Sequence, residues 1–152
     1  MEITIKYHGD TKPLERHGAA IDLSASETVE MKQGKVKIIP LGVSMKLPDG
    51  YFGFVAPRSS TCLKHGIMAA NSVGIIENDY CGNGDVWGFV AFATRDTTIE
   101  KGTRIAQFFA LPEMEEVTLH SVESMPFPDR GGYGSTGTGT ESVTEPEGAC
   151  NE

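Results

Sequence analysis

Polar and apolar residues alternate one for one at the start of the chain, in Glu2-Ile3-Thr4-Ile5-Lys6-Tyr7. That two-residue period predicts a strand with one buried face. Residues 36–47 predict a strand, an interruption at Pro40 and a second strand, and Pro48-Asp49-Gly50 predicts a turn. Further strands are expected over 51–56, 75–76, 86–94, 105–111 and 116–119. Short strands at such regular spacing predict an antiparallel sandwich, jelly roll or barrel. One helix is expected, capped by Ser59 or Ser60, running through Leu63 and Lys64 and stopped at Gly66. The sequence holds no internal repeat.

Composition narrows this picture. A chain of 152 residues predicts one domain, able to bury roughly two-thirds of its unfolded surface. No run approaches 18 apolar residues and no basic segment precedes an apolar one at the start, so neither a membrane span nor a secretion signal is expected. Cys62, Cys81 and Cys150 are odd in number and lack a C-x-x-C spacing. That argues against a disulfide framework or zinc site and fits a reducing cytoplasm. His8, His17, His65 and His120 are scattered without the spacing of metal ligands.

The net charge is −8. Glu141, Glu145, Glu147 and Glu152 carry half of it, in a final stretch without Lys or Arg. Residues 141–152 lack apolar periodicity and are expected to form an acidic disordered tail. An acidic protein is a poor non-specific binder of nucleic acid. Phosphate handling would therefore rest on a few placed arginines, backbone amides and a divalent cation.

Five segments carry candidate chemistry. Residues 18–25 place the single acid Asp22 among small residues. Ala56-Pro57-Arg58-Ser59-Ser60 sets an arginine and two hydroxyls at the expected helix N-terminus, which favours anions. Residues 71–82 hold Glu77 and Asp79; if extended, their side chains share one face, where they could bind a cation or act as base and orienting group. Gly102-Thr103-Arg104-Ile105-Ala106-Gln107-Phe108 leads from a turn into a strand and offers the Gln107 amide. Residues 130–140 combine Arg130, Tyr133, five glycines and four hydroxyl residues. Such a segment is poor at holding a core together, but its N–H groups, hydroxyls and guanidinium suit a phosphate chain, and its ring suits a base.

In this order and spacing, the five segments resemble the homotrimeric dUTP pyrophosphatase (dUTPase) family, from Gly18 to Gly137. The continuation over 81–87 is more similar to phage and prophage members. The resemblance implies an all-β, jelly-roll-like β-barrel with one short helix, assembled as a homotrimer with C-terminal arm exchange and three sites at subunit interfaces. It implies a barrel over 1–128, a glycine-rich arm over 129–140 and the tail beyond. It implies cytoplasmic hydrolysis of dUTP to dUMP and diphosphate, in the host cytoplasm if the protein is phage-encoded. Glu77, Asp79, Asp22 and Arg58 are the implied catalytic group, with Asp22 a supporting acid near Arg130 or a metal-bound water. Asn71, Gly74 and Ile76 would read the uracil edge, and Tyr80 would pack on the deoxyribose. Arg58, Ser59, Ser60 and Gln107 would hold the triphosphate. Tyr133 would cover uracil while Arg130, Gly134, Ser135 and Thr136 close over the phosphates. Mg²⁺ would be held by the triphosphate and water rather than by direct protein ligands. For a phage member, a protein partner such as a repressor is a further implication.

The family usually carries Asp where this chain has Glu77. The extra methylene admits three readings: a compensated natural variant, a weakened enzyme, or Asp79 sharing the role of base. Two rival functions are a dCTP deaminase on the same fold, needing a glutamate beside the base, and a nucleotide-gated binding protein. A purely structural jelly-roll trimer has no use for residues 130–140.

Overall fold

A computed structural model describes residues 1–132; Tyr133, Gly134, Ser135 and Thr136, with the roles expected of them, lie outside the described residues. Twelve strands and one helix are described. They are β1 (Thr4–Tyr7), β2 (Arg16–His17), β3 (Ala20–Ser24), β4 (Val29–Met31), β5 (Val36–Pro40), β6 (Val43–Lys46), β7 (Tyr51–Pro57), α1 (Thr61–His65), β8 (Ile67–Ala69), β9 (Gly74–Ile76), β10 (Gly88–Ala93), β11 (Thr97–Ile99) and β12 (Arg104–Pro112). All pairings are antiparallel. The largest sheet runs β2-β3-β12-β7-β9, a second runs β5-β10-β8, and β1-β6 and β11-β4 are two-stranded. They make one compact unit, Met1–Glu115, the all-β jelly-roll-like barrel expected from the sequence.

Every sheet sends side chains to one core. Leu23 and Phe108 come from the large sheet, Ile39 and Ile67 from the second, and Val43 and Ile99 from the two-stranded ones, all essentially without solvent contact. Each such side chain contributes about 1.5–3 kcal/mol of burial free energy. Trp87 closes the core edge-on to Phe108, with ring centroids 5.3 Å apart at 82°. Its backbone is fixed at both ends, the N–H donating to the Val43 carbonyl and its own carbonyl accepting from the Leu41 N–H.

Strands expected over 2–7, 36–47, 51–56, 75–76, 86–94 and 105–111 form within a residue or two of those limits. Strands β2, β3, β4, β8 and β11 are not expected from pattern; each is only two to five residues long. The strand expected over 116–119 does not form. Pro112, at the end of β12, has no N–H for the ladder, and Glu113 to Glu116 include three acids. Residues 116–132, a separate unit, are exposed and without helix or strand.

The helix forms where expected and ends at Gly66 in the left-handed conformation (φ 66°), whose N–H donates to the Cys62 carbonyl. The expected serine cap is corrected. Ser60 occupies the N-cap position but its side chain makes no capping hydrogen bond. Thr61 does the local work instead. Its buried hydroxyl accepts from the Arg58 N–H at 3.1 Å and donates to the Ile105 carbonyl at 2.7 Å, tying the turn after β7 to β12.

Candidate active site

Three adjacent strands bring one group of the predicted residues together. Gln107 on β12 lies opposite Asp22 on β3 and Ala56 on β7, so these positions share a sheet face. Arg58 is two residues beyond Ala56 and reaches the same face. Its Nε donates to Asp22 Oδ1 at 2.9 Å. Gln107 Nε2 donates to the Pro57 carbonyl at 3.1 Å, just before Arg58.

A residue that sequence reasoning missed completes the cluster. Arg104 NH1 donates to Asp22 Oδ2 at 3.1 Å. Arg104 and Gln107 are three apart, which in a regular strand places them on opposite faces. A β-bulge between Arg104 and Ala106 inserts Ile105 and sets Arg104 opposite Ser24, two residues from Asp22 and on its face. The motif quoted Arg104, but only the register shift aims it here.

Asp22 is thus a carboxylate held by two guanidiniums, its side chain only 10% exposed against 28% for Arg58 and 48% for Arg104. Charge-assisted bonds of this kind are short and strong. One carboxylate between two arginines leaves a net positive charge and guanidinium N–H donors that Asp22 does not engage. Asp22 therefore acts within this unit as the carboxylate that positions Arg58 and Arg104. Ser59 is exposed and Ser60 half-buried on the following turn.

Positive charge also surrounds His65, at the end of α1. Its pKa is lowered, first by burial and then by Lys64, Arg58 and Arg95. The folded state thus resists a proton that the unfolded chain takes up near the ordinary histidine value of 6.5. Stability from this group is present above that value and is lost as pH falls through it toward the lowered folded pKa. Denaturation midpoints between pH 8 and 5.5 should fall less for His65→Asn than for the unsubstituted protein.

The second group occupies the segment that follows β8. Asn71 is exposed, Ser72 has a left-handed backbone (φ 63°), and β9 carries Gly74 and Ile76. Gly74 lies opposite Val55, where an added Cβ would sit 3.2 Å from the Val55 Cβ. The extended conformation that would put Glu77 and Asp79 on one face does not occur: β9 ends at Ile76, and the Tyr80 N–H donates to the Glu77 carbonyl at 3.1 Å, closing a turn. The one-face rule for residues two apart does not apply in that turn. Both carboxylates and the Tyr80 ring are exposed, and the Tyr80 hydroxyl makes a long contact of 3.5 Å to the Val86 carbonyl.

The two groups lie apart within one chain. Ile76 pairs with Gly53, and Glu77 follows it away from the β7 C-terminus, whereas Arg58 follows Pro57. Five residues of extended chain from Gly53 to Arg58 correspond to about 17 Å, far beyond hydrogen-bond reach. Arg130 is exposed in the separate unit from Glu116 onward.

A β-barrel with two arginines gathered on one carboxylate, and a carboxylate-bearing turn on another edge, is chemically suited to a class of proteins that handle phosphates. Comparison with known proteins sharpens the class: the dUTPase family model matches residues 8–139, and the chain belongs to that family. It is 46% identical over 141 residues to the SPbeta prophage-derived deoxyuridine 5'-triphosphate nucleotidohydrolase of Bacillus subtilis, covering 91% of this chain and 99% of that protein. Its fold is similar to that of the Staphylococcus bacteriophage 80alpha dUTPase with dUPNHPP, at a TM-score of 0.76 and 22% identity, covering 90% of this chain and 98% of the other. A mutant dUTPase from phage phi11 of S. aureus, whose structure describes the coordination of a structural Mg(II) ion, matches with a TM-score of 0.69 and 20% identity, covering 84% and 100%.

Proposed function

We propose that this protein hydrolyses dUTP to dUMP and diphosphate at sites completed by more than one subunit. The observation that carries the phosphate assignment is the pairing of Arg58 and Arg104 on Asp22 beside Gln107. Family membership supplies the substrate. Glu77 takes a proton from water as the water oxygen bonds to the α-phosphorus, and the bond from that phosphorus to the α,β-bridging oxygen breaks to release diphosphate. Asn71 and the backbone of Gly74 to Ile76 read uracil, and Tyr80 packs on the deoxyribose. Arg58, Ser59, Ser60 and Gln107 hold the phosphates, with Arg130, Tyr133, Gly134, Ser135 and Thr136 arriving on the arm. Asp79 lies beside the base as an orienting acid.

The donor set fits a cation carried on the substrate. Asp22 is engaged by its two arginines, which leaves it a poor ligand for a cation of its own. Bound Mg²⁺ would offset charge on the phosphate oxygens, the chemistry suited to an ion that keeps most of its waters.

Two observations support a shared site. Glu77 follows β9 beside the N-terminal half of β7 whereas Arg58 follows the C-terminus of β7, a separation that favours a base supplied to each phosphate group by another copy. The second sheet also presents an uncovered apolar face: Val36 and Ile38 on β5, Met68 on β8 and Phe92 on β10 are 55%, 68%, 48% and 36% exposed. Phe92 pairs with both Val36 and Met68, which makes the patch continuous and suited to burial against further copies in a homotrimer. Subunit mixing tests this. Glu77→Gln and Arg58→Ala should each be inactive alone, and unfolding and refolding them together should restore part of the activity. No restoration on mixing would place the whole site in one chain.

A further inference from the structure

Glu77 sits in a turn, where a long carboxylate side chain has no ladder to fix it, yet the residues on either side of it are anchored. Asn78 follows it. The Asn78 carboxamide donates through Nδ2 to the Pro48 carbonyl at 3.0 Å and accepts through Oδ1 from the Leu47 N–H at 3.2 Å. One side chain thereby satisfies a donor and an acceptor on a turn thirty residues away, and both bonds are partly buried. Ile76 precedes Glu77. It pairs with Gly53, where an added Cβ would lie 3.1 Å from the Ile76 Cβ and 2.8 Å from Cη2 of Trp87. The absent side chain at position 53 is thus the space in which the indole meets β9. Trp87 keeps this place although its Nε1 is buried with no hydrogen-bond partner among the described residues.

We propose that Asn78 and the Gly53–Trp87 contact form a two-point clamp that positions the Glu77 carboxylate for catalysis. The inference rests on the assignment of Glu77 as the base. Asn78, Gly53 and Trp87 are positioning residues, since they act through the backbone on either side of Glu77. A turn anchored on both sides holds a carboxylate of one particular length at one place, and displacement by about 1 Å is enough to lower a rate by 100-fold. The same clamp supplies a physical route by which a glutamate serves where the family usually has Asp.

The test compares steady-state dUTP hydrolysis with binding of a non-hydrolysable dUTP analogue in the full-length protein. Asn78→Ala should lower kcat at least tenfold while KM and analogue affinity stay within about threefold. Gly53→Ala should do the same, and adding Trp87→Phe, which withdraws the overlapping ring edge, should recover part of the lost kcat. Asn83→Ala is the control. It removes another asparagine side-chain bond, from Lys6 Nζ at 3.1 Å in the neighbouring loop, and should leave kcat unchanged. The clamp is overturned if Asn78→Ala keeps its kcat, or if kcat and affinity fall together in step with thermal stability. Should Gly53→Ala not fold, Asn78→Ala decides alone. A protein with no dUTP hydrolysis before substitution would instead refute the functional assignment beneath the clamp.

Discussion

Glu77→Gln is expected to lower turnover of dUTP by about 10³-fold, the scale of a lost general base. The amide keeps the shape of the side chain but loses its negative charge and with it the ability to accept a proton from water. Affinity for a non-hydrolysable analogue should stay within a few-fold, because uracil and phosphates are held by other groups. Calorimetric binding beside single-turnover hydrolysis separates the two quantities. Turnover near that of the unsubstituted protein would move the base to Asp79, two residues on in the same turn. Parallel loss of turnover and binding would make Glu77 a binding residue.

Asp22→Ala carries the second large effect, and it acts on both stability and rate. The carboxylate is almost buried and serves two guanidiniums at 2.9 and 3.1 Å. Removing it leaves Arg58 and Arg104 facing each other without a shared anion. Because both arginines keep access to solvent, the stability loss should be about 1–3 kcal/mol rather than the larger figure for a fully buried pair. The rate should fall further, by roughly 100-fold in kcat/KM, since Arg58 loses the partner that orients it. Asp22→Asn should fall between, keeping an acceptor and losing the charge. Urea midpoints and initial rates on the same preparations check both effects. An Asp22→Ala protein with full kcat/KM would mean that Arg58 is oriented without its carboxylate.

The residues differ in how legible they were from sequence, and the reasons are physical. Strand β7 could be read because Tyr51, Phe52, Phe54, Val55 and Ala56 carry strand propensity between the punctuation of Gly50 and Pro57. Gly66 could be read as a helix stop because left-handed backbone favours glycine. Arg104 could not be assigned, since a spacing of three from Gln107 points the wrong way unless a bulge intervenes. The shared face of Glu77 and Asp79 was read from strand periodicity, and the turn closed by Tyr80 removes that periodicity. Asn78 gives no local signal at all. Its partners at Leu47 and Pro48 are brought near only by the fold. Pattern thus revealed the side chains that would meet a ligand more readily than those that hold them in place.

Nucleotide discrimination bears most directly on the central assignment. The measurement is diphosphate release from dUTP, dCTP and dTTP by the same full-length protein with Mg²⁺, with ammonia followed in parallel. Release from dUTP far faster than from the other two, and no ammonia from dCTP, is the predicted result. Equal rates on all three nucleotides, no diphosphate from dUTP, or ammonia from dCTP would contradict it.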